Sequence, residues 1–270
     1  MAHRQKKFVH VHNEPKLDLI EGTRSDMFNN TVEGVSKTLT AGVNKVLWNE
    51  DFEFHYLPNA NMSLNMVSTH ANDVAAGSGA RTIRVSGLVH SNPTGAAHVY
   101  SEHTEDVDLN GTTQVLIGQA FYRVLSIQVV QAGATLLNQG NIKVFIRGSS
   151  EVVACMEAGA NISNQCIVSP PSGRNTLIEN LHISGHFDTE VEIHVNKLEE
   201  VLGLQHTPYK FFIGSNGSNV SFPVRMKVEP GQTVWVSVKP IGAVIGTHNH
   251  ICGLLECTNR SINSIVPSFN

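Results

Sequence analysis

Residues 80–88 read Ala-Arg-Thr-Ile-Arg-Val-Ser-Gly-Leu. From Thr82 onward, Ile83, Val85 and Gly87 fall on one side of an extended chain, and Thr82, Arg84 and Ser86 on the other. A period of two marks a strand with one face buried and one wet. The same reading extends outward to residues 64–69, 104–109, 121–131 and 141–146. Further strands are expected at 151–155, 165–168, 175–184, 190–197, 208–213, 222–228, 233–239 and 250–258. Asn110-Gly111 has hairpin-turn chemistry, and Glu229-Pro230-Gly231-Gln232 a tight turn between two of these runs.

Composition points the same way. The chain has 31 Val and 17 Ile against 19 Leu, with 24 Asn. β-branched side chains lose rotamer freedom on a helix and fit a pleated surface. Asn tolerates the positive φ that tight turns need. Short strands in this number imply an all-β chain: an antiparallel β-sandwich or jelly-roll-like fold, as one large or two small sandwiches. Ser169-Pro170-Pro171-Ser172-Gly173 cannot continue a strand, because two prolines remove two backbone donors. It divides a first strand set, residues 46–168, from a second, residues 174–260. A crossover within one sandwich is the expectation at this break, since each half alone would have a small core. Residues 1–45 are polar and weakly patterned, and read as a loosely structured N-terminal arm. Phe8, Val9 and Val11 are its candidate anchors for strand addition.

The 270 residues carry a net charge of −4 with 16% charged residues, so nucleic acid is not an expected partner. No apolar run approaches the 18–20 residues of a membrane span, and no secretory signal follows the basic start. Synthesis in a cytosol is expected, with Cys155, Cys166, Cys252 and Cys257 as buried reduced thiols.

Sites of chemistry are few. His10/His12 and His248/His250 are His-x-His pairs that would share a strand face, with Cys252, Glu256 and Cys257 near the second. Neither pair has an evident third ligand, so no metal, cofactor or catalytic residue is expected. Glu102, Glu105 and Asp106, and separately Glu199 and Glu200, read as solvated loop charges rather than a calcium site. Gly77-Ser78-Gly79 precedes a strand and opens no helix, so it reads as a turn and not a phosphate loop. Trp48 and Trp235 sit in apolar alternation and read as core or interface.

Three segments carry a resemblance. Residues 64–88 read LNMVSTHANDVAAGSGARTIRVSGL, residues 105–115 EDVDLNGTTQV, and residues 121–142 FYRVLSIQVVQAGATLLNQGNI. Their order is similar to that in a family of capsid-associated, β-sandwich virion structural proteins from tailed phages and other aquatic double-stranded DNA viruses. The matching positions include Ser68, Asp73, Gly77, Gly79 to Thr82, Gly87, Leu109 to Thr113, Phe121, Arg123, Gly133, Asn138 and Gly140. An altered later motif spans residues 158–178. The stretch 90–103 is longer than the family's linker, and 246–250 has no counterpart.

The resemblance implies a minor capsid, decoration or vertex protein located in the virion and made in the host cytoplasm. It would be no enzyme, would act by protein–protein assembly, and would have the major capsid protein or other virion proteins as partners. A homo-oligomer, with a trimer the first expectation, suits such a role. The other reading is a carbohydrate- or receptor-binding sandwich on a spike or fibre, which needs an exposed aromatic or acidic loop cluster; an exposed Trp235 or Tyr209 would favour it, and both buried would weaken it. A cupin-type metal enzyme would need the histidines to converge.

Overall fold

A computed structural model describes residues 27–36, 39–47, 60–91, 98–163, 165–185, 188–196, 206–214, 220–241 and 251–261. The strands are β1 (Met27–Ser36), β2 (Lys45–Val46), β3 (Leu64–Ser68), β4 (Ala80–Ser91), β5 (Val99–Asp108), β6 (Val115–Leu116), β7 (Arg123–Ala132) and β8 (Ile142–Ile146). They continue as β9 (Val152–Met156), β10 (Ile167–Val168), β11 (Arg174–Ser184), β12 (Thr189–Asn196), β13 (His206–Ile213), β14 (Val220–Val228), β15 (Thr233–Pro240) and β16 (Ile251–Ser261). The described residues contain no helix, and every strand pairing is antiparallel.

Four small sheets result. Their orders are β6-β3-β8-β9, β5-β4-β7, β1-β16-β11-β14, and β10-β15-β12-β13 with β2 also on β15. They stand like separate blades of a propeller and do not merge into the two continuous sheets of a jelly roll. The all-β antiparallel expectation holds at this level, and the jelly-roll form is not clearly present. The reason lies in the hydrogen bonding. No ladder of the first two sheets leaves residues 64–156, and none of the other two enters that range.

The sheets share cores in pairs. Leu64 and Met66 of β3, Ile142 and Val144 of β8, Ile83 and Val85 of β4 and Ile127 of β7 belong to one apolar cluster. Ile83 and Val85 are fully buried while Arg84 is exposed, as the alternation requires. A second cluster joins Ile178 and Leu181 of β11 and Leu255 of β16 to Val191 and Ile193 of β12 and Val234, Val236 and Val238 of β15. Each such side chain contributes about 1.5–3 kcal/mol on burial. Two modest cores therefore stand where the sequence favoured one.

The proline break does separate β10 from β11, but β10 already pairs with β15, and so does β2. The sheets of the second pair thus draw on chain from both sides of the first. β1 corrects the reading of residues 1–45 as one arm. Met27–Ser36 pairs along its whole length with β16, and Leu39 is buried in the second core. Its polar alternation, with Thr31 and Glu33 exposed, is that of a strand whose outer face is wet.

The loop between β3 and β4 is held by one side chain. Asp73 is fully buried. Its carboxylate accepts hydrogen bonds from Ser68 Oγ (2.6 Å), Ala80 N (2.8 Å), Gln139 N (2.9 Å) and Gly140 N (2.8 Å). These donors come from β3, β4 and the loop before β8, so one carboxylate ties both sheets of the first pair. Gly79 lies so close to it that a Cβ there would collide with Asp73 Oδ1. Gly111, at φ +58, turns the chain beside Ala71 and donates to the Asp73 carbonyl at 2.8 Å.

Two outcomes follow from this architecture. Asp73→Asn cannot satisfy all four donors, and is expected to lower stability by about 2–4 kcal/mol in urea unfolding. A chain beginning at residue 27 keeps β1 and Leu39 and is the reference for stability. One beginning at residue 41 loses β1 and Leu39, and should fall by about 3 kcal/mol or more.

Candidate functional site

The two sheet pairs meet through apolar and hydrogen-bonded contacts among the described residues. Val152 and Cys155 of β9, Val46 of β2, Ile167 of β10 and Trp235 of β15 form a small shared apolar cluster. Beside it lies Arg123, the first residue of β7, 1% exposed. Its Nε donates to Thr233 Oγ1 (2.9 Å) across the junction, and its Nη1 to the Tyr122 carbonyl (2.7 Å). Its Nη2 reaches Tyr122 Oη (3.2 Å), and the guanidinium carbon stands 3.9 Å from the Tyr122 ring centroid. Tyr122 Oη in turn donates to the Gly231 carbonyl at 3.1 Å.

The Pro170-Pro171 segment completes the junction. Tyr100 N donates to Ser172 Oγ (2.9 Å), and Ser172 N donates to the Tyr100 carbonyl (2.8 Å). Ser169 Oγ donates to the Gln232 carbonyl at 2.8 Å, and Arg174 pairs with Glu102 at 2.8 Å. The break that the sequence marks as a separator is therefore the seam that fastens the pairs together.

Next to this seam runs a cleft of about 500 Å³. It is lined by Thr31, Val32 and Glu33 of β1, by Leu125, Ser126, Ile162 and Ser163, and by Pro170, Pro171 and Arg174. Gln165 lines it and is 3% exposed. Its Nε2 donates to the Val153 carbonyl at 3.2 Å, and its Oε1, shut off from solvent, has no hydrogen-bond partner. The lining of the cleft is part polar and part apolar.

The candidate residues from the sequence fare differently. Glu102, Glu105 and Asp106 lie on β5 and do not converge. Period two sends Glu105 to the opposite face from the other two. Glu105 accepts from Gly118 N (2.8 Å) and Gln119 N (2.7 Å), Asp106 accepts from Arg84 Nε (2.8 Å) and Nη2 (2.9 Å), and Glu102 pairs with Arg174. The Arg84 hydrogen bonds hold the Asp106 carboxyl below its ordinary range. The amides of Gly77 and Gly79 donate to the carbonyls of Val74 and Asn72, so the Gly77-Ser78-Gly79 turn is closed on itself.

Cys155, Cys166 and Cys257 are buried and Cys252 is half-buried. Burial pushes the Cys166 thiol up, and pushes that of Cys257 to about 12. His10, His12, Trp48, Glu199, Glu200, His248 and His250, and the arm anchors Phe8, Val9 and Val11, lie outside the described residues.

Trp235 is buried at 4% exposure, and Tyr209 is half-buried. Trp235 stacks on His194, with ring centroids 5.3 Å apart. His194 shares a 2.6 Å hydrogen bond with Ser237 Oγ and lies 3.5 Å from Glu192. The sequence reading gave Arg123 and His194 no role. For the first, the available signals were an arginine inside the apolar run Phe-Tyr-Arg-Val-Leu-Ser-Ile and its place among the positions of the resemblance.

No family model matches the chain, and no curated protein matches it. Among solved structures it is similar to that of infectious bursal disease virus, Gt strain, at 8% identity and a TM-score of 0.22. That likeness covers 87% of this chain and 73% of the other. The Gx strain structure gives 8% identity and 0.22, over 88% and 72%.

Burial lowers the pKa of His194, against a smaller opposing pull from Glu192. The folded chain then binds fewer protons than the unfolded one below about pH 6.5. Its contribution to stability is present above that pH and is lost as pH falls through the folded value. Urea midpoints should therefore drop on acidification from pH 7.5 to 5, and His194→Gln should flatten the drop.

Proposed function

We propose that this chain is a virion structural protein, of the minor capsid, decoration or vertex kind, and that it works by protein–protein assembly rather than catalysis. The observation that carries the reading is the job done by the residues of the resemblance. Ser68, Asp73, Gly79 and Gly140 build the carboxylate staple. Arg123 fastens the two sheet pairs. Asn138 donates to the carbonyls of Gly140 (2.9 Å) and Glu157 (2.6 Å). These residues maintain the all-β scaffold and are spent on internal contacts, which leaves the surface to contact partners.

Under this reading the partners are the major capsid protein or other virion proteins. The chain forms a homo-oligomer, with a trimer suited to a three-fold site, and resides in the particle after synthesis in the host cytoplasm. The sandwich description belongs here too, as two small sandwiches sharing a seam. Of the two aromatics whose exposure would favour the receptor-binding alternative, Trp235 is buried against His194 and Tyr209 is half-buried, so neither supplies an open stacking face.

The test is peptide mass spectrometry on particles banded in a density gradient from a lysate expressing the native gene. Fixed stoichiometry in the particle band is expected. Recovery of the chain only with soluble protein at the top of the gradient would sink the reading.

A further inference from the structure

The cleft beside the seam has a feature that the assembly reading leaves unused. β1 is terminal in the hydrogen-bonded order of its sheet among the described residues, and Thr31, Val32 and Glu33 line the cleft together with Ile167 and Val168 of β10; the Cys166 thiol, just before β10, reaches the Val32 carbonyl at 3.8 Å. A terminal strand edge offers backbone donors and acceptors in register for one more strand. The apolar part of the cleft, with Leu125, Ile162, Pro170 and Pro171, provides for the side chains of such a strand.

The charge is one-sided. Arg174 is committed to Glu102 at 2.8 Å, which leaves Glu33, exposed and without an ion-pair partner among the described residues, as the surplus carboxylate on the rim. A complementary strand would be basic at one end and would alternate apolar residues. Residues 4–12 of this chain read Arg-Gln-Lys-Lys-Phe-Val-His-Val-His, with three basic residues and no acid before Glu14. In an extended segment Val9 and Val11 share one face.

Fifteen residues separate Val11 from the start of β1 at Met27. Extended, they span about 50 Å, which is enough to reach another molecule. We propose that the cleft is a strand-acceptor groove, and that its occupant is the segment Arg4 to His12 of a second copy of this chain, added to the terminal edge of β1. This rests on the assembly reading only in taking a second copy as the partner. Strand addition supplies affinity through the backbone, and the alternate side chains supply selectivity. Because each copy offers one groove and one segment, the contact is heterologous, and closes into a ring when the rotation allows.

The experiment uses the full chain in sedimentation velocity over a range of concentrations. Association is expected, weakened by salt and reversed by a synthetic peptide of residues 1–14. Glu33→Lys damages the groove and the double change Val9→Asp with Val11→Asp damages the segment; each should weaken association about tenfold or more with an unchanged circular dichroism spectrum. Mixing the two variants should restore a pairwise complex, since one keeps the segment and the other the groove. A fold defect could not be rescued in this way.

A full chain that stays monomeric at every concentration overturns the proposal. So does association indifferent to the peptide, or a Val9→Cys/Glu33→Cys disulfide that forms within single chains at high dilution. Self-association with an empty particle band would count against the virion role and leave the groove standing. A particle-borne chain whose association ignores both variants would do the reverse.

Discussion

Asp73 is a carboxylate with no access to water, and the first sheet pair is arranged around meeting its needs. A buried charged group left short of partners costs several kcal/mol, so its four donors must all arrive together. One comes from the end of β3, one from the start of β4, and two from successive amides before β8. That requirement explains the small residues nearby. Gly79 has no room for a Cβ against the carboxylate, and Gly133 and Gly140 pack equally tightly on Gly77, Ser78 and His70. The sheets could pack on apolar contact alone, but the carboxylate permits a single seating of the loops.

A second constraint of the same kind operates at the seam. The apolar cluster around Trp235 is small, and two smooth apolar faces could slide. Arg123 removes that freedom. Its planar guanidinium has several donors in fixed directions, and they are met by Thr233 from one sheet pair and Tyr122 from the other. The reciprocal backbone and hydroxyl bonds of Tyr100 and Ser172 repeat the lock a short way along the same seam. The cleft follows from this geometry. Two rounded β bodies fastened along one line leave a groove beside the line, and β1, the terminal strand of its sheet, lines that groove.

Much of the fold was legible because strand formation is a local matter. Alternation in residues 82–88 places Ile83 and Val85 in the core without reference to any partner strand, and the turn at Glu229-Pro230-Gly231-Gln232 lies where its chemistry indicates. β1 was harder to read. Its outer face is wet and carries few large apolar residues, so its place depends on β16, more than two hundred residues away. The proline break was correctly seen as an interruption. Whether the chain on its two sides formed one core or two depended on ladders between distant strands, about which the local pattern is silent.

The resemblance marked Asp73 and Arg123 as residues of interest without giving their tasks. Each task consists of partners remote in sequence: Gln139 and Gly140 for the first, Thr233 for the second. The sequence by itself determined an all-β chain and the positions of most strands and turns, because period, propensity and turn chemistry act over a few residues. Tertiary structure alone decided the division into two sheet pairs, the carboxylate staple, the stacking of Trp235 on His194 and the cleft along β1. All of these arise where long-range hydrogen bonds and burial bring distant residues together.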